Sequence, residues 1–257
     1  MTEPGLSLEV MTQIRDRVQA CCTWYHSFEI VPGIMTPGSR DCAVLLAYLD
    51  RAGLPAAAKG LRVADIGCRD GFFSFEMERR GAEVTAIDRS PLGQNGFELT
   101  RELRGSALVH HVDNVYYLEA KRYGLFDIVL MLGLLYHLRN PLMALDRLRG
   151  ILKTGGLIFV ETLLLTQATW APAQPGQESA PVPEGGLMQI LPERYKWDGS
   201  NVWAPTMTGL KMMLERAQFE VLQEIVMGER GLVCARAVEN SARARYQRED
   251  YETHVYA

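Results

Sequence analysis

The stretch LRVADIGCRDGFFSF, residues 61–75, decides the fold because it joins a strand pattern directly to a helix pattern. Residues 61–66 form a short apolar run that is typical of a buried strand, and a helix pattern follows Gly71 and ends at Gly81. Gly67 and Gly71 lie between the two elements, where glycine lets the backbone approach a ligand closely. The stretch therefore predicts a βα crossing whose helix start offers unpaired N–H groups to a polar ligand.

The same alternation of short strands and helices continues beyond this crossing. The predicted strands are 61–66, 83–88, 107–112, 126–132 and 156–162, with helical patterns between them. Two further apolar runs, 219–227 and 231–238, flank the turn GERG and predict an antiparallel hairpin at the sheet edge. Repeated βα units predict an α/β, Rossmann-like fold in which helices cover both faces of a mostly parallel sheet.

The N-terminal region differs from this pattern. Residues 8–22 carry apolar side chains at intervals of three and four, which predicts an amphipathic helix, and a second helix is predicted over 40–52. The segment between them, 23–39, is dense in aromatic residues and broken by proline and glycine, so we expect irregular structure there. Residues 1–54 are therefore predicted to form an N-terminal helical cap.

A second departure is rich in proline, glycine and alanine. Residues 166–204 interrupt the α/β rhythm, and such a long insertion in a compact domain is usually a lid or binding loop. The main domain is accordingly predicted over 55–238, with 166–204 as its substrate lid. Residues 239–257 are predicted to form a charged C-terminal tail.

The composition narrows the class of protein. The chain has 257 residues and a formal net charge of −4, which does not suggest a surface that neutralises many phosphates, so nucleic acid is an unlikely partner. Five cysteines occur without zinc-ligand spacing, so no metal is predicted and a reduced, cytoplasmic protein is expected. No signal-peptide pattern is present, and the most apolar stretches are too short for a bilayer, so no membrane partner is expected.

Acidic residues follow two further strands. Asp88 ends the second strand of the α/β region, about twenty residues after the glycines, where a carboxylate accepts hydrogen bonds from the hydroxyls of an adenosine ribose. Asp113 and Asn114 follow the third strand, where they are placed to hold an adenine amino group. These motifs fit a dinucleotide such as NAD equally well, so they do not choose the cofactor by themselves.

Longer motifs resemble a known family. The segments DIGCRDGFFSFE, AIDRS, GLLYHLRNPLMALDRLRGILKTGGLIFVET and RYKWDGSNVWAP together resemble the class I methyltransferases that use S-adenosylmethionine (SAM) and are related to the tRNA wobble-uridine carboxymethyltransferase. The similarity covers residues 60–165 well and 190–236 more loosely. It implies a seven-stranded sheet of order 3-2-1-4-5-7-6 and SAM as the cofactor.

The resemblance also assigns roles to residues. In the family, the glycine loop holds the methionine end of SAM, the acid of the second strand holds the ribose, and the acid of the third strand meets adenine. The implied cofactor-binding residues are Asp65, Gly67, Cys68, Gly71, Asp88, Arg89, Asp113, Asn114 and Leu132.

Arg69 departs from the pattern, because many relatives carry a third glycine there. The wobble-uridine enzymes bind a carboxylated SAM with a lysine before the first strand, but residues 23–58 contain no lysine, which favours ordinary SAM.

Methyl transfer needs alignment of donor and acceptor and, for many acceptors, removal of a proton. The candidate catalytic residues are His137, Glu161 and Tyr136, which follow the fourth and fifth strands. His137 is a candidate base for an oxygen or nitrogen acceptor, and Glu161 for a carbon acceptor. Structural roles remain open for all three: packing at the cofactor for Tyr136, a satisfied histidine for His137, and bonding to the loop backbone for Glu161.

The acceptor is expected to be a small molecule. The segment WYHSFEIVPGIMTPG resembles bacterial methyltransferases with unassigned or secondary-metabolite substrates, in which the N-terminal region covers the cofactor. The predicted substrate-binding residues are Trp24, Tyr25, His26, Arg194, Tyr195, Asn201 and Trp203, unless they form only the core of the cap. Two alternatives remain, a tRNA base methyltransferase and a non-catalytic SAM-binding protein; a homo-oligomer is also possible.

Overall fold

The computed structural model describes residues 7–21, 23–167, 181–182, 184–191, 195 and 198–239. The helices are α1 Leu8–Ala20, α2 Cys42–Arg51, α3 Phe72–Arg79, α4 Phe97–Leu103, α5 Ala120–Tyr123, α6 Pro141–Gly150 and α7 Met207–Arg216. The strands are β1 His26–Ser27, β2 Glu29–Val31, β3 Ile34–Met35, β4 Arg40–Asp41, β5 Arg62–Ile66, β6 Glu83–Asp88, β7 Val109–Val112, β8 Phe126–Leu132, β9 Leu152–Leu163, β10 Met188–Ile190, β11 Trp203–Pro205, β12 Phe219–Met227 and β13 Arg230–Ala237. Short 3-10 turns cover Val115–Tyr117 and Leu135–His137.

Seven of these strands form one sheet, in the order β12-β13-β9-β8-β5-β6-β7. Counted along the chain from β5 and read from the β7 edge, this order is 3-2-1-4-5-7-6, so the predicted topology is confirmed. The pairs β5–β6, β6–β7 and β8–β9 are parallel. The pairs β9–β13 and β12–β13 are antiparallel, which confirms both the edge hairpin and the Rossmann-like, mostly parallel α/β sheet.

The chain divides into two compact units, Met1–Asn114 and Val115–Ala257. This division falls inside the region predicted as one domain, 55–238, whose own boundaries stay a prediction. Residues 240–257 of the predicted tail lie outside the described residues. In the described part of the chain, no helix combines the length and apolar character that crossing a membrane requires.

In the first unit, the segment predicted to be irregular forms short strands instead. The strands β2 and β3 pair as an antiparallel hairpin, and Gly33 at its turn has a φ of +79°. Phe28, Ile30 and Ile34 are buried in one cluster with side chains of α1 such as Val18. The expectation of irregular structure was wrong because proline and glycine here shape a tight turn, while apolar side chains alternating along the flanking strands pack on α1.

The parallel strands of the first unit end at one edge. Ile66 pairs with Ile87, and Asp88 pairs with Val112, so the ends of β5, β6 and β7 lie side by side. The segment 67–71 that follows β5, here called the glycine loop, and the acids that follow β6 and β7 therefore share this edge.

In the second unit, the sheet core is apolar on both faces. Most of β8 and the second half of β9 are buried, as expected of strands covered by helices, and Leu132 pairs with Glu161 where the parallel strands end. The inserted segment is more regular than predicted, because β10 and β11 pair as antiparallel strands. Thr206 closes this pair: its hydroxyl accepts the N–H of Leu187 at 3.1 Å.

Candidate active site

The glycine loop turns through left-handed backbone at three positions. Gly67, Arg69 and Gly71 have φ values of +79°, +53° and +87°. A Cβ on Gly71 would lie 2.6 Å from the Phe75 ring and 2.7 Å from the Phe97 ring, so glycine is required there. Arg69 occupies the position of the family's third glycine and keeps the left-handed turn although it carries a side chain.

The start of α3 lies at the loop, and the N–H of Ser74 in its first turn donates to the Asp65 carboxylate. Gly71 occupies the N-cap position of this helix and supplies no side-chain hydrogen bond to its first N–H groups. Unpaired N–H groups at a helix start attract an anion, because the helix dipole adds to their partial positive charge. The N–H groups that precede Ser74 are therefore the ones that a ligand carboxylate would meet.

Two predicted site residues at the loop, Asp65 just before it and Cys68 within it, are buried. The Asp65 carboxylate is buried and accepts the Ser74 hydroxyl at 2.6 Å. Burial raises the pKa of Asp65 to about 6, although the Ser74 hydrogen bond acts in the opposite direction. Cys68 is buried in an apolar cluster with Phe75, and burial raises the pKa of its thiol, as fits a packing residue better than a nucleophile.

Asp88 is presented by the end of β6. Its Oδ2 accepts the N–H of Arg69 at 3.0 Å, and its Oδ1 accepts the N–H of Ser90 at 2.8 Å. The two backbone donors fix the orientation of the carboxylate, while an ionised carboxylate has about four acceptor sites in all. Asp88 can therefore accept further hydrogen bonds from a pair of ligand hydroxyls. The neighbouring Arg89 is exposed.

Asp113 and Asn114 follow β7 at the same edge. The N–H of Asp113 donates to the carbonyl of Asp88 at 3.0 Å, and Asp113 Oδ1 accepts the N–H of Asn114 at 2.7 Å. The backbone bond ties the acid of the third strand to the acid of the second. The structure thus brings the acids of the second and third strands, Asp88 and Asp113, to the edge of the sheet at which the strand of Asp65 also ends.

A buried acid within the glycine loop was missed by the sequence analysis. Asp70 is fully buried, and its Oδ2 accepts the N–H groups of Tyr25 at 2.7 Å and His26 at 2.9 Å. Its Oδ1 accepts the imidazole Nδ1 of His26. The Arg69 guanidinium also lies 5.3 Å above the Tyr25 ring. Asp70 therefore fastens the N-terminal segment to the loop, and its place beside Gly71 was the only sequence signal.

The three N-terminal aromatic residues differ in what they contact. Trp24 Nε1 donates to the carbonyl of Val18 at 2.9 Å, and its ring occupies the space beside Gly96. Trp24 is thus a packing residue of the first unit. Tyr25 and His26 are held against the glycine loop by Asp70 and Arg69.

In the second unit, Glu161 is ion-paired. Its two oxygens accept Arg230 Nε and Nη2, each at 2.5 Å, and the side chain of Glu161 is only 6% exposed. Burial by itself lowers the pKa of the Arg230 guanidinium. The hydrogen bonds with Glu161 and the negative charge of that carboxylate outweigh burial and raise the pKa. The guanidinium also lies 4.6 Å from the centre of the Tyr136 ring. Both oxygens of the Glu161 carboxylate are therefore engaged by Arg230.

Arg230 is the second residue that sequence reasoning missed. It lies at the start of β13, about seventy residues from Glu161 in the chain. Gly133, next to Leu132 at the end of β8, completes the arrangement: a Cβ on it would lie 3.7 Å from Arg230, 3.8 Å from Glu161 and 3.9 Å from the Tyr136 hydroxyl. No local sequence motif marks Arg230, because it meets Glu161 only through the pairing of β13 with β9.

His137 lies against the inserted segment. Its Nδ1 is 3.0 Å from both the carbonyl oxygen and the hydroxyl of Ser200, and its ring is 4.0 Å from that of Tyr136. Trp203 Nε1 donates to the carbonyl of Leu138 at 2.5 Å. The structure therefore places the predicted substrate residue Trp203 next to the predicted base within one unit.

The remaining predicted substrate residues are partly described. The Asn201 amide donates to the carbonyl of Tyr195 at 3.2 Å, and its buried Oδ1 has no hydrogen-bond partner among the described residues. Tyr195 packs against a cluster that contains Tyr136. Arg194 lies outside the described residues.

Comparison with known proteins adds independent information. A family model described as "Methyltransferase domain" matches residues 39–224. The ubiquinone biosynthesis O-methyltransferase of Xanthomonas campestris pv. campestris (strain B100) is 37% identical over 136 residues, 51% of this chain and 54% of that protein. The tRNA U34 carboxymethyltransferase of Wolinella succinogenes is 30% identical over 172 residues, 66% of this chain and 56% of that protein. The chain thus spans about half the length of these curated relatives.

Solved structures share the fold. The N-terminal domain of EvdMO1 with SAH bound superposes with a TM-score of 0.60 at 22% identity. The match covers 88% of this chain and 97% of that domain. It therefore extends beyond the sheet to most of the chain.

Proposed function

The chain belongs to the methyltransferase-domain family, and on that premise we propose that it transfers the methyl group of SAM to a small-molecule acceptor. The observation that carries the proposal is the left-handed glycine loop with Asp88 beside it, whose carboxylate has acceptor sites for the hydroxyls of an adenosine-bearing ligand. The structural relative solved with SAH supports SAM as the cofactor.

The residues of the first unit fit the parts of SAM. The first N–H groups of α3, before Ser74, would receive the carboxylate of the methionine moiety. Asp88 would accept the two ribose hydroxyls, and Asp113 with Asn114 would face adenine. When bound, SAM supplies a methyl group on a positively charged sulfur, which makes the carbon open to nucleophilic attack.

The second unit offers a proton acceptor. His137 is the base that the geometry favours for an oxygen or nitrogen acceptor, because Glu161 is committed to Arg230. Tyr136 is buried and held by its contact with Arg230, so it orients rather than accepts protons.

Three features support a small acceptor, in keeping with a role in metabolite biosynthesis. The net charge is −4, the inserted segment sets aromatic residues beside His137, and a relative is named for ubiquinone biosynthesis.

The second candidate is methylation of a tRNA base, favoured by the similarity to the tRNA U34 carboxymethyltransferase. A tRNA enzyme would bind tRNA with a steep dependence on salt, which a small-molecule enzyme would not show.

Titration calorimetry with SAM and with SAH tests the cofactor. We expect both to bind, and we expect Asp88→Asn to weaken SAM binding by about 10–100-fold, since a hydrogen bond to a charged group contributes about 1.5–3 kcal/mol. Glu83→Gln, at the other end of β6, is the matched control and should bind normally. If neither SAM nor SAH binds, the proposal is refuted. Metabolite extracts incubated with SAM should then show a product one methylene heavier.

A further inference from the structure

The contacts of His137 determine which ring nitrogen carries its proton. A carbonyl oxygen can only accept a hydrogen bond, so the 3.0 Å contact between His137 Nδ1 and the Ser200 carbonyl requires a proton on Nδ1. The Ser200 hydroxyl gives its own proton to Asp198 Oδ1 at 2.6 Å, and so it presents a lone pair to the same Nδ1 at 3.0 Å. Both contacts require a proton on Nδ1.

Asp198 holds Ser200 in place. Its Oδ1 accepts the N–H of Ser200 at 2.9 Å as well as the hydroxyl, which closes a tight turn over residues 198–200. The N–H of Asp198 in turn donates to the carbonyl of Tyr195 at 3.2 Å. The turn therefore orients both the carbonyl and the hydroxyl that face the imidazole.

The inserted segment is also tied to the backbone on each side of His137. The N–H of Val202 donates to the carbonyl of Tyr136 at 2.8 Å, and the indole of Trp203 donates to the carbonyl of Leu138. Residues 136–138 and 198–203 thus form one hydrogen-bonded assembly. A displacement of the turn would change the setting of the histidine directly.

We propose that Asp198 and Ser200 are positioning residues that hold neutral His137 with its proton on Nδ1, so that Nε2 carries the lone pair and acts as the general base. This inference rests on the proposed methyl transfer. The acceptor's oxygen or nitrogen forms the new bond to the methyl carbon, the carbon–sulfur bond breaks with its electron pair left on sulfur, and the acceptor's proton ends on Nε2. The side chain that sets the tautomer of a base commonly decides whether it works.

Long-range ¹H–¹⁵N correlation spectra of the labelled full chain test the tautomer, because the two ring nitrogens have different shifts in each form. The chain has five histidines, and His137→Gln assigns the signal. At a pH where the imidazole is neutral, we expect the Nδ1–H form to dominate. In Asp198→Ala it should become the minor form, and Asp198→Asn, which keeps an accepting oxygen, should restore it.

The control is Asp41→Ala, since Asp41 Oδ1 makes the same kind of turn contact, to the N–H of Ala43 at 2.9 Å, and should leave the His137 signal unchanged. A dominant Nε2–H form in the wild type, or an unchanged tautomer in a folded Asp198→Ala, overturns the inference. Calorimetry with SAM on the same samples separates the two ideas. SAM binding with the wrong tautomer refutes the positioning role alone, whereas a lack of SAM binding refutes the proposed function and, with it, the role of His137 as its base.

Discussion

The buried Asp65 makes stability depend on pH in an unusual direction. Its folded-state pKa of about 6 lies above the ordinary value of 3.8 because burial disfavours the charged form. The folded state therefore binds this proton more tightly than the unfolded chain. The contribution of Asp65 is most favourable below pH 3.8 and is lost as the pH rises through about 6, which is the reverse of an ion-paired aspartate.

The magnitude follows from the two values. At 1.36 kcal/mol for each pKa unit, the difference corresponds to about 3 kcal/mol in total, most of it lost between pH 4 and pH 7. Asp65→Asn keeps an oxygen that accepts the Ser74 hydroxyl but carries no charge at any pH. We expect the free energy of unfolding of the variant, relative to the wild type, to rise by up to about 3 kcal/mol over this range.

Urea unfolding at several pH values between 4 and 7 measures this difference. Asp16→Asn, on the exposed face of α1, removes the same charge without burial and serves as the control. Parallel stability curves for the wild type and Asp65→Asn would refute the reasoning. So would a variant that becomes relatively less stable as the pH rises.

Two further predictions concern packing and charge. Gly71→Ala should lower the free energy of unfolding by about 1–3 kcal/mol in chemical denaturation, because it combines a φ of +87° with a clash against Phe75; an unchanged midpoint would contradict the strain. Arg230→Met should cost about 3–5 kcal/mol because it leaves Glu161 buried and unpaired, and the double variant with Glu161→Gln should recover part of the loss; equal stability of the single and double variants would argue against the ion pair.

Much of the fold could be predicted because its signals are local. Each parallel strand is a short apolar run, and each helix begins or ends at a recognisable residue, such as Pro141 at the start of α6. The cofactor side follows the same logic. A glycine loop and acids at successive strand ends must meet at one edge of a parallel sheet, so Asp88 and Asp113 could be placed from their spacing.

The N-terminal strands and β10–β11 could not be predicted in this way. Their apolar side chains are few, and their pairing depends on partners elsewhere, such as α1 for Ile30. Proline and glycine at positions 32 and 33 predict a loop by composition, although they form the turn of the β2–β3 hairpin.

The sequence by itself determined the alternation of strands and helices and the place of the glycine loop, because these depend on periodicity and on motifs that act within a few residues. Its resemblance to a known family implied the sheet order. Only the tertiary structure decided which partners the candidate site residues have. Asp70 meets His26, Arg230 neutralises Glu161, and the turn at Asp198 meets His137. Charge and proton positions depend on groups brought together from distant parts of the chain, and these pairings have no local pattern from which they could be read.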